Sequence, residues 1–139
     1  MTMTTFFEHA QPGDRIAEFV SDPISAEMLR HYAEASGDNN PLHLDRAFAQ
    51  KAGFDDVIMH GMLGMALLGR LLDSHFAAED IRSFSARFLS VMPVGKQIRC
   101  QAEVAGHENG HLLLNLSARV DGAEQAAISG QAVIGKPEA

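Results

Sequence analysis

The chain has 139 residues, which fits one domain spanning 1–139 and is long enough to bury a core. Eleven Lys plus Arg against 18 Asp plus Glu leave a net charge of -7 with no basic run, so nucleic acid is excluded as an expected partner. The single cysteine, Cys100, excludes an internal disulfide framework and a thiol pair for zinc or redox work, and suits a reducing cytoplasm.

The chain opens on "MTMTTFFEHAQPGDR", which lacks a basic region followed by an apolar stretch. No run approaches the roughly 18 apolar residues that a membrane span needs. The expectation is a cytoplasmic protein with no membrane partner. After Pro12 and Gly13, "RIAEFV" reads as a first strand. A helix follows, capped by the Ser25 hydroxyl, with Glu27 at its positive end and Leu29, Tyr32, Ala33 and Ser36 at helical spacing. Gly37 ends it. Residues 45–52 make one or two further helical turns, with Asp45 as cap and Gly53 as stop.

From Gly61 to Ala78 the chain is apolar on nearly every side, which predicts a helix surrounded by protein. Gly64 and Gly69 weaken a helix by about 1 kcal/mol each, so they imply close packing against a sheet or a second subunit. Residues 81–134 then switch to period two: Ile98, Cys100, Ala102 and Val104 alternate with polar residues, as do Leu112, Leu114, Leu116, Ala118 and Val120. Asn109-Gly110 and Asp121-Gly122 stand where two-residue hairpin turns need positive φ. These strands predict an antiparallel meander of about four. One buried helix before such a meander, with an early strand, predicts an α+β domain whose antiparallel sheet wraps a central helix. That is the hot-dog arrangement, here with a helical overhang inserted before the central helix.

The overhang carries "SGDNNPLHLD", residues 36–45. Glycine, aspartate, asparagine and proline are turn formers, and a loop between helices is their plain use. The longer stretch "YAEASGDNNPLHLDRAFAQKAGFDDVIMHGML" resembles the signature of the MaoC-like, (R)-specific enoyl-CoA hydratases. That signature is an aromatic, then G-D-x-N-P-x-H, then H-G-M. Here these are Tyr32, then Gly37, Asp38, Asn40, Pro41 and His43, then His60, Gly61 and Met62. The resemblance covers residues 32–63 well; "RFLSVMPVGKQI" is similar to the family's strand, turn and strand after the helix.

The resemblance implies water addition to trans-2-enoyl thioesters, reversibly a 3-hydroxyacyl dehydratase. That chemistry needs a base for water and an acid for the α-carbon. Asp38 and His43, five apart across a turn stiffened by Pro41, can both reach one water, and the family makes them the catalytic pair. Which acts as base stays open, because a coupled pair shares its titration. Asn40 is expected to hold the loop. Gly61 opens the buried helix, and the matching family glycine supplies the oxyanion donor from its backbone N–H. His60 is read as supporting, orienting the loop before Gly61.

Asp55, Asp56 and Met59 depart from the small residues common in the family here, which predicts a bulkier, more acidic approach and short acyl chains. Met59, Met62 and Met65 are assigned to the acyl pocket, with core packing the commoner use of methionine. His9, His31, His75, His107 and His111 show no ligand spacing, and no metal or cofactor is expected beyond a CoA or acyl-carrier-protein thioester as substrate. The family further implies a homodimer or dimer of dimers. Two competing readings are a hot-dog acyl-CoA thioesterase, which the G-D-x-N-P-x-H pattern disfavours, and a non-catalytic acyl-thioester binding subunit.

Overall fold

A computed structural model describes residues 8–135. Strands β1 (Arg15–Val20), β2 (Ile81–Phe88), β3 (Ile98–Glu108), β4 (His111–Val120) and β5 (Ile128–Ile134) form one antiparallel sheet in the order β1-β3-β4-β5-β2. The alternation in β3 and β4 carries the core as expected. Val104, Ala102 and Cys100 stand opposite Leu114, Leu116 and Ala118, and all six are buried. Asn109 and Gly110 turn between them at φ 52° and 78°, the two-residue hairpin the sequence predicts.

Two expectations need correction. The meander comprises β3, β4 and β5 only; β2 crosses over to pair with β5 at one edge, while β1 takes the other. Nor is Asp121-Gly122 a two-residue hairpin. The connection runs over residues 121–127, with Gly122 alone at positive φ, 90°.

Helix α1 (Ala26–Ser36), a 3-10 turn (Pro41–His43) and helix α2 (Arg46–Lys51) form the overhang between β1 and the central helix α3 (Gly61–Asp73). Helix α3 packs against β1, β2, β3 and β4. It buries Leu67, Leu68, Leu71 and Leu72, each contributing about 1.5 to 3 kcal/mol. It stops at Asp73 rather than Ala78. The His75 N–H donates to the Leu72 carbonyl at 3.0 Å, three residues back, and His75 Nδ1 lies 3.0 Å from the Leu71 carbonyl that a further turn would need. The helix is also not enclosed by its own chain, since Met62 is 55% exposed.

Gly64 has the packing reason its sequence suggested. A Cβ there would overlap the Ile128 side chain and lie 3.1 Å from Met92 Cε. Both neighbours are buried, so Gly64→Ala should destabilise by about 1 to 3 kcal/mol despite its better helix propensity. Thermal unfolding measures it; an unchanged or raised melting temperature would show that Ile128 has room to move. Among the described residues, no helix is long and apolar enough to cross a membrane.

Candidate active site

The overhang loop is built by its own side chains. Ser25 caps α1 by accepting from the Met28 N–H at 3.1 Å, and Gly37 closes the helix at φ 79°, where other residues are strained. Two successive Asx turns follow. The Asn40 N–H donates to Asp38 Oδ1 at 3.3 Å, and the Leu42 N–H donates to Asn40 Oδ1 at 3.0 Å. Pro41 starts the 3-10 turn that lifts His43, and Asp45 caps α2 through the Phe48 N–H at 3.1 Å. Asn40 thus bonds the turn through its side chain, and Pro41 stands at the start of it.

This folding leaves two groups facing each other. Asp38 Oδ1 is occupied by the turn, while Oδ2 lies 3.9 Å from His43 Nε2, within ion-pair reach and too long for a direct hydrogen bond. His43 Nδ1 is 2.8 Å from the Ile58 carbonyl, which can only accept, so Nδ1 carries the proton and Nε2 presents a lone pair. The His43 side chain is 11% exposed and that of Asp38 49%, so the pair has one sheltered and one wet member.

His60 joins the overhang to α3. It is 1% exposed, and its Nε2 lies 3.2 Å from the Asp38 carbonyl, to which it donates. Its ring stacks on His43 at 3.9 Å between centroids and meets the edge of Tyr32 at 4.8 Å. Burial holds the His60 pKa below its ordinary 6.5; the bond to the Asp38 carbonyl opposes this, and the neighbouring His43 adds to it. A buried neutral histidine makes acid destabilising. Below pH 6.5 the unfolded chain takes up a proton that the folded one resists, so stability present above 6.5 is lost progressively as pH falls toward the depressed folded pKa. Melting temperature should therefore drop through that range, and His60→Gln should flatten the drop. An equal acid dependence in both proteins would assign it to other groups.

Asp38, His43 and His60 offer ligand atoms within 4.8 Å of one another. They do not fit a metal. The imidazoles lie 23° from parallel and stacked, so their in-plane lone pairs do not converge on one ion, and one nitrogen of each is committed to a carbonyl.

Gly61 is the first residue of α3, so its N–H has no acceptor behind it in the helix. A Cβ at this position would stand 3.3 Å from Cδ1 and Cε1 of Phe88, tighter than ordinary contact. His43, Met59, His60, Gly61, Phe88 and Ile128 line a cavity of about 160 Å³. Sequence reasoning missed Phe88 and Ile128, which reach the site only through the pairing of β2 with β5. A larger groove of about 420 Å³ between β1 and the end of α3 holds none of the predicted residues and no paired acid and base like Asp38 and His43.

The methionines divide. Met59 is 3% exposed and serves both the core and the cavity wall. Met62 and Met65 do not line the cavity, because the helix turns Met62 outward and Met65 is half-buried elsewhere on α3. Asp55 and Asp56 are likewise absent from it. Asp56 Oδ1 accepts from the Val57 N–H at 2.7 Å, its Oδ2 lies 3.9 Å from Arg46 Nε, and the Asp55 carbonyl accepts from Gln50. The approach segment is tied to α2 and does not charge the cavity.

Known proteins share this fold. The R-hydratase PhaJ1 of Pseudomonas aeruginosa superposes with a TM-score of 0.81 at 26% identity, covering 96% of this chain and 86% of that one. The (R)-hydratase from A. caviae involved in PHA biosynthesis gives 0.80 at 27%, covering 94% and 99%. In sequence, the mitochondrial 3-hydroxyacyl-[acyl-carrier-protein] dehydratase of Arabidopsis thaliana is 40% identical over 75 residues, 54% of this chain and 45% of the plant protein. The chain thus spans less than half of that relative, and 5% of the fatty acid synthase β subunit of Emericella nidulans that it also matches. Residues 8–124 match the MaoC like domain, a span that contains the paired Asp38 and His43, the bridging His60 and the uncapped Gly61. The fold and the family match thus agree, and the chain belongs to the MaoC-like dehydratase family.

Proposed function

We propose that the protein adds water to trans-2-enoyl thioesters to give (R)-3-hydroxyacyl thioesters, and runs in reverse as a dehydratase. The observation that carries this is the open 3.9 Å gap between Asp38 Oδ2 and His43 Nε2 beside Gly61. A water bridging the two from the side loses a proton to one of them as its oxygen bonds to the β-carbon. The double-bond electrons move onto the thioester oxygen, where the Gly61 N–H stabilises the enolate. The pair then returns one proton to the α-carbon, so each turnover ends with its protonation restored. The names of the relatives, a 3-hydroxyacyl dehydratase and two R-hydratases, support the reaction class and its hand. Crotonyl-CoA should lose its enoyl absorbance with this protein without releasing free thiol. Thiol release would favour a thioesterase, and neither change a binding subunit.

Acyl length follows from the cavity. Buried Met59 stands in its wall and shortens it, which favours acyl chains of about four to six carbons. Met59 forms core and wall together, so Met59→Ala should lower stability by about 2 to 5 kcal/mol and also improve eight-carbon over four-carbon turnover. A lowered melting temperature with an unchanged chain-length ratio would leave Met59 with the core alone.

The assembly is a homodimer or a dimer of dimers. Edge strand β2 ends at Phe88, 49% exposed, followed by Leu89 at 55% and Val91 at 50%, and the outward Met62 adds to this apolar end. An apolar open edge favours pairing with a second copy. Light scattering that found an active monomer would contradict the dimer. A reducing, cytoplasmic setting suits the buried Cys100, whose thiol pKa burial pushes up to about 12.

A further inference from the structure

The loop that carries Asp38 and His43 docks onto residues 58–60, which lead into α3, and its two ends are held unequally. At the His43 end, the Ile58 N–H donates to the Leu42 carbonyl at 3.0 Å and His43 Nδ1 donates to the Ile58 carbonyl at 2.8 Å. At the Asp38 end stands a single bond, from His60 Nε2 to the Asp38 carbonyl at 3.2 Å. Among the described residues, the other hydrogen bonds of residues 37–40 run within the loop or back to α1.

An imidazole is a costly choice for that place. A carbonyl can only accept, so His60 Nε2 carries the proton and Nδ1 keeps a lone pair. Nδ1 is buried and has no hydrogen-bond partner among the described residues. A buried polar atom left unpaired lowers stability, and burial also makes the ring resist protonation. A phenylalanine ring in its place would keep the stack on His43 and the edge contact with Tyr32 without either penalty. What the imidazole alone contributes is the bond to Asp38, made one peptide before the Gly61 N–H.

We infer that His60 is a positioning residue whose Nε2–H holds the Asp38 end of the loop against the start of α3, and so fixes the acid and base relative to the Gly61 N–H. The inference deepens the hydration reading and rests on it. Water has to meet the β-carbon while the thioester oxygen meets the Gly61 donor, so the pair and the donor must keep their spacing. A misplacement of about 1 Å can cost on the order of 100-fold in rate. Asp38, with its half-exposed side chain, is the member that depends on this tie, because His43 has the Ile58 carbonyl as its own anchor.

Turnover and KM for crotonyl-CoA, with melting temperatures, test it on the full chain in wild type, His60→Phe, His60→Gln and His60→Phe combined with Asp38→Asn. His60→Phe should melt no lower than wild type and lose about tenfold in kcat with KM little changed. His60→Gln offers an amide N–H to the Asp38 carbonyl without the ring, and should keep more turnover than His60→Phe. In the Asp38→Asn background, His60→Phe should cost little further, since it acts through a carboxylate already removed. The inference falls if His60→Phe keeps wild-type kcat, if His60→Phe and His60→Gln lose equally, or if the losses of His60→Phe and Asp38→Asn simply add. A lowered melting temperature or failure to fold in His60→Phe would make the imidazole a structural support and equally overturn it. Each of these results leaves the hydration reading standing; no hydration by wild type would sink both.

Discussion

Asp38→Asn and His43→Ala should each lower hydration turnover by at least about 100-fold, as expected when a general acid or base is removed. The asparagine keeps an oxygen for the Asn40 N–H, so the first Asx turn survives while the free Oδ2 loses its charge. His43→Ala removes the bond to the Ile58 carbonyl and the stack on His60 together, so its melting temperature must be measured beside its rate. A loss confined to turnover in Asp38→Asn, with near-native melting, identifies chemistry rather than folding as the cause. Near-normal turnover in both variants would sink the pair.

Gly61→Ala should cost about as much, on the order of 100-fold in turnover. A backbone donor survives most side-chain changes, but this one sits under the Phe88 ring, 3.3 Å from where a Cβ would be. The ring or the helix start has to shift. A shift of the helix start moves the Gly61 N–H off the thioester oxygen, and losing such a donor costs about 3 kcal/mol of transition-state stabilisation. Adding Phe88→Ala to Gly61→Ala makes room for the methyl group, so the double variant should recover part of the loss. The two substitutions then fail to add, as contacting residues do. Additive losses in the cycle would mean that Phe88 does not set the position of the helix start.

What the sequence disclosed here was local. The turns of the Asp38, Asn40, Pro41 and His43 loop are made by bonds between residues two and three apart, which turn chemistry makes readable without knowing the fold; the bonds that dock it, His43 to Ile58 and His60 to Asp38, are not. Period two likewise marked the strands of β3 and β4 and the core residues on them. It could not give their partners. Consecutive strands neighbour one another about two-thirds of the time, and β2 is an exception, so Phe88 and Ile128 entered the site unannounced. Apolar composition had the same limit for α3. It marks a helix that leaves water on every side but not which side its own chain covers, and Met62 lies on the side left open. The acidic approach loop misled for a further reason. Asp56 meets Arg46 ten positions earlier, a pairing that depends on how the overhang folds back.

Hydration of crotonyl-CoA in water labelled with heavy oxygen tests the central claim most directly. Asp38, His43 and Gly61 acting as described put the label on the 3-hydroxyl of an (R)-3-hydroxybutyryl thioester, with the thioester itself intact and unlabelled. The label should be all but missing from the products of Asp38→Asn and His43→Ala over the same time. Label appearing in a released carboxylate, or equal labelling of the 3-hydroxyl by the variants, would contradict it.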